Sequence, residues 1–175
     1  MGRRIVTMAS LSGMAGVLLL LTCSNPFAPA TVKDTIRGSG ILTAQESPDG
    51  VLTNLQYAYT FRDSLVYSEL FDSTYIFIST NFNVSPPEPI VWGRDQELKA
   101  TGRMFRFFTT LDLTMNVVER EEAFNGDPNR VRDRITFTLT LDGGTAIPTL
   151  IGEVEFQYIR RGNKWFIVRW EDLQI

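Results

Sequence analysis

The C-terminal half of the chain contains four long segments in which apolar and polar residues alternate. The segments are Thr109–Arg120, Val131–Asp142, Pro148–Arg160 and Trp165–Leu173. A period of two is typical of a β-strand with one buried and one solvated face. The links between the segments carry turn residues such as Asn125-Gly126 and Gly162-Asn163, which favour antiparallel pairing of successive strands. This half is therefore predicted to form an antiparallel sheet that is covered on one side.

The last segment differs from the other three because both of its faces are apolar. Trp165 and Ile167 lie on one face, while Phe166, Val168 and Trp170 interrupt the expected polar face. A strand that is buried on both sides either lies in the middle of a sheet or meets a partner with its outer face. The sequence leaves both interpretations open.

Two helices are predicted before the sheet. Ser47-Pro48-Asp49 combines a capping serine, a proline at the first helical position and an acidic residue that complements the helix dipole. Apolar residues then recur at helical spacing as far as Arg62. Asp63-Ser64 offers a second cap, for a short helix.

The middle of the chain is predicted to contain a strand, a loop and a third helix. Ser73–Thr80 is rich in β-branched and aromatic residues and indicates a strand. Asn81–Ile90 contains three prolines and is predicted to be a loop. The third helix opens at Gly93 and presents an apolar stripe that ends at Phe108.

The N-terminal segment has the pattern of a secretory signal. Arg3 and Arg4 precede a charge-free stretch of 17 residues from Ile5 to Leu21. A membrane span needs about 20 apolar residues, and this stretch is diluted by serine, threonine and glycine. Directly after it, Leu20-Leu21-Thr22-Cys23 resembles the bacterial lipobox, although Thr22 stands where Gly, Ala or Ser is usual. The alternative is an ordinary signal followed by a chance cysteine.

The resemblance to a lipobox implies a division of the chain into three parts. Residues 1–22 would be a lipoprotein signal peptide, residues 23–46 the lipidated Cys23 with a flexible tether, and residues 47–175 one domain. Several acyl chains on Cys23 would anchor the protein firmly to a membrane. Ser24, rather than Asp, follows the cysteine, and by resemblance to the sorting rule of enteric bacteria this favours the outer membrane, facing the periplasm.

Composition excludes several kinds of chemistry. The chain has no histidine and one cysteine, so it lacks the commonest general base, the usual zinc ligands and any intramolecular disulfide. Its formal net charge of −3 argues against a nucleic-acid partner. We expect no cofactor, because no glycine-rich phosphate loop lies between a strand and a helix, and no metal, because no acidic cluster has ligand spacing.

Three stretches carry a resemblance to a known superfamily. Residues 47–78, SPDGVLTNLQYAYTFRDSLVYSELFDSTYIFI, look like its opening helix, Arg-Asp turn and first strand; WGRDQELKATGRMF is similar to the entry to its third helix, and GNKWFIVRWEDL to its closing strand. The order of these motifs resembles the NTF2-like, or SnoaL-like, cone. That resemblance implies an α+β fold in which three helices of the N-terminal half pack on a curved antiparallel sheet of about four to six strands and leave a pocket.

The resemblance also implies where a pocket would lie. We expect it to be lined by six residues, for each of which core packing is the alternative: Tyr59, Trp92, Met104, Met115, Phe137 and Tyr158. Enzymes of the superfamily, of the ketosteroid-isomerase and cyclase types, use a buried Asp or His base with a Tyr or Asp donor. The candidate carboxylates Asp112, Glu153 and Glu155 fall on the polar faces of their strands, so no catalytic residue is assigned.

Three functions follow as expectations. The favoured one is a non-catalytic envelope lipoprotein whose domain binds a small apolar ligand or a partner protein. The alternatives are a structural domain that forms a homodimer through its sheet face, and an isomerase or cyclase. A basic cluster, Arg130, Arg132 and Arg134, faces glutamates across a hairpin and is predicted to form cross-strand ion pairs, with an anion or lipid-headgroup site as the alternative.

Overall fold

We describe residues 42–144 and 147–174 of a computed structural model of the chain. The predicted signal peptide, Cys23 and most of the predicted tether lie outside these residues. Within the described ranges, no helix has both the length and the apolar character that a membrane crossing requires.

Three helices and six strands make up the domain. In chain order they are α1 (Pro48–Phe61), α2 (Ser64–Ser68), β1 (Phe71–Asn81), β2 (Glu88–Gly93), α3 (Arg94–Phe107), β3 (Leu111–Glu122), β4 (Arg130–Leu141), β5 (Leu150–Arg161) and β6 (Lys164–Gln174). The strands form one curved, unclosed sheet in the order β2-β1-β6-β5-β4-β3. The predicted fold class, an α+β cone with three helices on a curved sheet, is confirmed.

The sheet is mixed, and not wholly antiparallel as the sequence predicts, because one pair of strands is parallel. β1 runs parallel to β6, whereas all other neighbours in the sheet are antiparallel. A parallel pair needs a long crossover, and α3 with the β3–β5 meander provides it. β6 therefore lies between β1 and β5, which confirms the central position that its two apolar faces suggested.

The prediction for the middle of the chain was wrong in one place. The stretch Asn81–Ile90 was expected to be a loop, but Glu88–Gly93 forms β2, which pairs with β1 over six residues. Pro89 lies within β2 opposite Thr80. A proline is tolerated there because β2 is an edge strand. It has one neighbouring strand, so the missing N–H of the proline can face away from the sheet.

The predicted helix caps are present. The Ser47 side chain accepts a hydrogen bond of 3.1 Å from the backbone N–H of Gly50, and Asp63 accepts from the N–H groups of Leu65 and Val66. Helix α1 is capped at its C-terminus by Arg62, whose φ of 53° is in the left-handed region. This residue turns the chain into α2.

Contacts of the domain extend upstream of α1, into the predicted tether. The backbone N–H of Thr43 donates to the Asn54 side chain over 2.8 Å. The carbonyl of Gln45 accepts from the backbone N–H of Trp165, also over 2.8 Å. Gln45 is buried, so these residues hold the start of the described chain against α1 and β6.

The helices cover the concave face of the sheet, and one apolar core fills the space between them. A charged cluster crosses the interface between α1 and the sheet. Asp133 on β4 is fully buried and is paired with Arg120 on β3, which also binds Asp49 in the first turn of α1. This triad fixes the N-terminus of α1 to the β3–β4 hairpin.

Candidate functional site

A buried carboxylate lies between α3 and α2. Glu97, in the first turn of α3, is only 6% exposed. Its Oε1 accepts from the Tyr67 hydroxyl (2.7 Å) and the Thr101 hydroxyl (2.9 Å), and its Oε2 accepts from the Trp92 indole N–H (2.8 Å). A carboxylate can be buried when several donors replace its water. We call Glu97 and its three donors the Glu97 centre.

The local sequence explains why these four side chains meet. Thr101 follows Glu97 by one helical turn and therefore lies on the same face of α3. Trp92 is in the last part of β2, immediately before the helix. Tyr67 is the buried residue of the short helix α2, and the turn after α1 directs it at α3.

Aromatic rings surround the Glu97 centre. Tyr67 makes edge contacts with Tyr59, Phe71 and Phe105 at centroid distances of 5.9, 4.8 and 5.6 Å. Burial raises the pKa of Tyr59, and the negative charge of Glu97 raises it further. Burial and nearby Tyr59 likewise raise the pKa of Tyr67. Both hydroxyls therefore stay protonated and can donate hydrogen bonds at neutral pH.

The hydroxyl of Tyr75 is buried without a partner. Tyr75 on β1 is 2% exposed, its ring contacts Phe71 at 4.6 Å, and its oxygen has no hydrogen-bond partner among the described residues. Its pKa is raised by burial first, and then by the negative charges of Glu97 and Asp172 among other groups. A buried hydroxyl without a hydrogen bond destabilises a protein by about 1–3 kcal/mol. The Tyr75 hydroxyl can therefore still form a hydrogen bond with a group placed beside it.

A second carboxylate faces the concave side from β6. Asp172 and Trp170 pair with Val154 and Phe156 of β5, which are fully buried, so all four side chains point inward. The Trp170 indole N–H donates to Asp172 over 2.9 Å. Burial raises the pKa of the Asp172 carboxyl above its ordinary value, and the charge of Glu97 adds to this, while hydrogen bonds from Ser79 and Trp170 oppose it.

Two half-buried tryptophans lie beside these groups, because each donates its indole N–H to one of the two carboxylates. Trp92 stacks on Phe77 with a centroid distance of 4.2 Å and an interplanar angle of 15°. Trp170 contacts Phe156 at 4.6 Å and Phe77 at 6.3 Å. We call Phe77, Trp92, Trp170 and Phe156 the aromatic wall. Because Trp92 and Trp170 are partly exposed, ring surface remains available to a ligand.

The six predicted pocket residues divide between several parts of the core. Tyr59 and Trp92 belong to the surroundings of Glu97. Met104 is partly buried against the core from α3, while Met115 and Phe137 face each other on β3 and β4. Tyr158 is fully buried, and its pKa is raised by burial and by the charge of Asp133, so it adjoins the triad instead.

Sequence reasoning missed Glu97, Tyr67, Tyr75 and Asp172. A signal was present for two of them. Glu97 lies within the motif quoted for the third helix, four residues before Thr101, and Asp172 lies two residues after Trp170, hence on the same face of the strand. Tyr67 lies within the stretch quoted for the opening of the domain, but nothing local indicates that α3 packs against it. Nothing local marks Tyr75.

The outer face of the sheet carries the predicted cross-strand ion pairs for two of the three arginines. The third, Arg130, pairs instead with Asp127 in the connection between β3 and β4, at 3.6 Å. Arg132 binds Glu121 at 2.6 Å, and Arg134 binds Glu119 at 3.7 Å and Glu153 at 3.1 Å. Asp112 is exposed on β3, as its alternation predicted. Exposed pairs of this kind contribute about 0–1 kcal/mol each.

The described residues contain no group of three His, Cys, Asp or Glu side chains that could hold a metal ion.

An open groove of about 580 Å³ lies outside the Glu97 centre, between β1 and the start of α3. It is lined by Ser73, Thr74, Tyr75, Gly93, Arg94, Asp95 and Gln96. Arg94 there donates to the carbonyls of Ser68 and Phe71, so its charge is committed to holding α3 against the segment before β1.

No family model matches the chain, and no curated protein is significantly similar in sequence. Solved structures do match. An NTF2-like protein of unknown function from Shewanella baltica superimposes with a TM-score of 0.54 at 11% identity, over 71% of this chain and 88% of that one. The domain has the NTF2-like fold.

Two further solved structures share this NTF2-like fold. A protein provisionally named scytalone dehydratase, from Novosphingobium aromaticivorans, matches with a TM-score of 0.59 at 14% identity, over 73% of this chain and 80% of that one. An uncharacterised protein with a cystatin-like fold, from Caulobacter vibrioides, matches with a TM-score of 0.56 at 13% identity, over 73% and 86%. Similarity at these identities concerns the fold, which hosts many functions.

Proposed function

We propose that this protein is a bacterial envelope lipoprotein, anchored through Cys23, whose NTF2-like domain binds a small molecule on the concave face without transforming it. The observation that carries the proposal is the Tyr75 hydroxyl, which is buried with no partner among the described residues. The ring of Phe71 separates Tyr75 from Tyr67 of the Glu97 centre and contacts both. A polar group of this kind is expected where a ligand completes the hydrogen bonding.

The surroundings of Tyr75 suit a ligand with a large apolar part. Small-molecule sites are mostly apolar and aromatic, with a few polar groups that fix orientation. Here the aromatic wall supplies apolar contact, while Tyr75 and Asp172 supply polar contact. The ligand we propose is therefore largely apolar with at least one polar group.

The anchor is supported by sequence alone. The apolar run before Cys23 and the Leu20-Leu21-Thr22-Cys23 motif favour lipidation, and Ser24 favours the outer membrane.

The outer face of the sheet does not favour the alternative of a homodimer. Its paired charges favour contact with solvent there over burial in an apolar dimer interface.

Native mass spectrometry of the lipidated full chain, extracted in detergent from the cells that make it, tests the binding function. We expect a small-molecule adduct that is released on denaturation, and a lower adduct fraction in Trp170→Leu. Tyr57→Phe, at a position on α1 whose ring contacts Phe61, is the control and should keep the adduct. A chain without an adduct that also fails to bind any member of a library of small amphipathic molecules would contradict the proposal.

One observation favours a second candidate function, an isomerase or dehydratase. A carboxyl whose pKa is raised by burial is a candidate general acid or base, and burial raises the pKa of Asp172 on the concave face. Turnover of an activated ketone that disappears in Asp172→Asn, while the Asp112→Asn control keeps it, would establish this function. Absence of turnover with a bound ligand would leave the binding function alone.

A further inference from the structure

The concave face holds two carboxylates that form no ion pair with any of the residues that the structure describes. Glu97 accepts hydrogen bonds only from the neutral groups of Tyr67, Thr101 and Trp92, and Asp172 is bonded to Trp170. No arginine or lysine among the described residues forms an ion pair with either carboxylate. Buried carboxylates elsewhere in the domain are paired, as Asp133 is with Arg120.

A second, independent observation points into the same space. The Tyr75 oxygen is buried and has no hydrogen-bond partner among the described residues. Tyr75 precedes Phe77 of the aromatic wall by two residues on β1, and both are buried, so they share one face of the strand. The ring of Phe71 contacts both Tyr75 and Tyr67 of the Glu97 centre. The neutral hydroxyl has lone pairs that can accept a hydrogen bond. A donor placed among these three groups would therefore meet acceptors on more than one side.

The aromatic wall supplies a third element. Cations bind over the faces of aromatic rings, and tryptophan is the best of the side chains for this. Trp92 and Trp170 are both partly exposed, and each donates its indole N–H to a carboxylate of the site. The rings and the negative charges are thus held together by direct hydrogen bonds.

We propose that the ligand of the concave site is an organic ammonium ion, which replaces the missing counter-ion of Glu97 and Asp172, donates to the Tyr75 hydroxyl and places its carbon skeleton on Trp92 and Trp170. This inference rests on the proposed binding function and specifies its ligand class. A neutral ligand would leave the two carboxylates unbalanced, and an anionic one would be repelled by them.

The test uses n-pentylammonium as the probe, with 1-pentanol as its neutral counterpart and pentanoate as its anionic one. The three indole N–H resonances of the full chain in detergent are followed by NMR at pH 7. We expect pentylammonium to shift the Trp92 and Trp170 resonances saturably, while the Trp165 resonance moves less. It should bind about tenfold or more tightly than pentanol, and pentanoate should not bind, because charge-assisted hydrogen bonds exceed neutral ones.

Matched variants assign the effect to the named groups. Asp172→Asn, at a half-exposed position that should fold, is expected to weaken pentylammonium binding about tenfold and to leave pentanol binding unchanged. Glu97→Gln should weaken pentylammonium binding as well, and its indole spectrum reports whether it is folded. The control Asp112→Asn removes an exposed carboxylate from β3 and should have no effect.

The outcomes separate the two proposals. Equal or tighter binding of pentanol, with the Trp92 and Trp170 resonances still shifted, overturns the ammonium ligand and leaves the binding function standing. Pentylammonium binding that is unchanged in Asp172→Asn also overturns the ammonium proposal. If none of the three probes shifts the two resonances at millimolar concentration, this inference fails, whereas the binding function still depends on the adduct and library experiment.

Discussion

Arg120 and Asp133 form a two-bonded ion pair inside the domain, with Nε–Oδ1 and Nη2–Oδ2 distances that are both 2.7 Å. The Asp133 side chain has no exposed surface, and that of Arg120 is 23% exposed. The positive charge of Arg120 is stabilised by Asp133 and Asp49, which raise the pKa of the guanidinium. Together with Asp49, the pair connects β3, β4 and α1. Its loss should therefore destabilise the whole domain.

Arg120→Met should lower the free energy of unfolding by about 3–5 kcal/mol, because it leaves the Asp133 carboxylate buried without a counter-charge. Urea denaturation followed by far-UV circular dichroism measures this. The control Arg134→Met breaks exposed pairs and should cost about 0–1 kcal/mol. Equal decreases in the free energy of unfolding of the two variants would show that the buried pair with Asp133 stabilises the domain no more than an exposed pair does.

Tyr75→Phe should raise the free energy of unfolding of the ligand-free protein by about 1 kcal/mol, since it removes a buried hydroxyl that has no partner among the described residues. The same variant should bind pentylammonium more weakly, so stability and binding are expected to change in opposite directions. Tyr57→Phe, whose effect should stay within about 0.5 kcal/mol, is the matched control. A clear loss of stability in Tyr75→Phe would mean that the hydroxyl is satisfied.

Asp172 should make stability depend on pH. Its pKa is higher in the native state than in the unfolded chain, where it is about 3.9, so the native state binds this proton more tightly. The stabilising contribution is fully present below about pH 3.9 and is lost as pH rises through the native pKa. Asp172→Asn removes this dependence.

We therefore expect Asp172→Asn to gain stability relative to the natural chain as pH rises above about 4, until the native pKa is passed. Thermal unfolding of both proteins from pH 3 to pH 8 measures the difference. The comparison matters because Asp49 and Asp72 have lowered pKa values and act in the opposite direction in both proteins. A difference that falls with pH would reverse the sign that we assign.

Ser47→Ala should destabilise the domain by about 1 kcal/mol, because the Ser47 side chain satisfies the N–H of Gly50 at the start of α1. Ser47→Asp keeps an acceptor at the cap and should restore most of the loss. Chemical denaturation of the two variants checks both values. If alanine and aspartate behave alike, the cap bond contributes little.

Cys23→Ser should abolish lipidation. Cells that make the natural chain are expected to incorporate labelled palmitate into it and to retain it in the membrane fraction, and the serine variant should do neither. Ser24→Asp keeps the lipidation site and serves as the control for anchoring, with a shift toward the inner membrane as the further expected result. Labelling that persists in Cys23→Ser would place the lipid elsewhere or disprove the anchor.

Local patterns were sufficient to predict most of the architecture. The period of two in β3 to β6, the caps at Ser47 and Asp63 and the apolar faces of β6 act over a few residues, and the structure confirms each of them. The same patterns placed Asp112 and the Arg132 and Arg134 pairs on the outer face. The edge strand β2 escaped prediction because its proline content describes a loop equally well, and only pairing with β1 decides between the two.

Only the tertiary structure decided which polar groups meet on the concave face. Glu97, Tyr67, Tyr75 and Asp172 come from α3, α2, β1 and β6, and their spacing in the chain carries no common period. Their proximity follows from the curvature of the sheet and from the parallel pairing of β1 with β6, which are set by packing over the whole domain. The sequence by itself thus determined most helices and strands and their buried faces. Which polar and charged side chains meet on the concave face depended on how those elements pack.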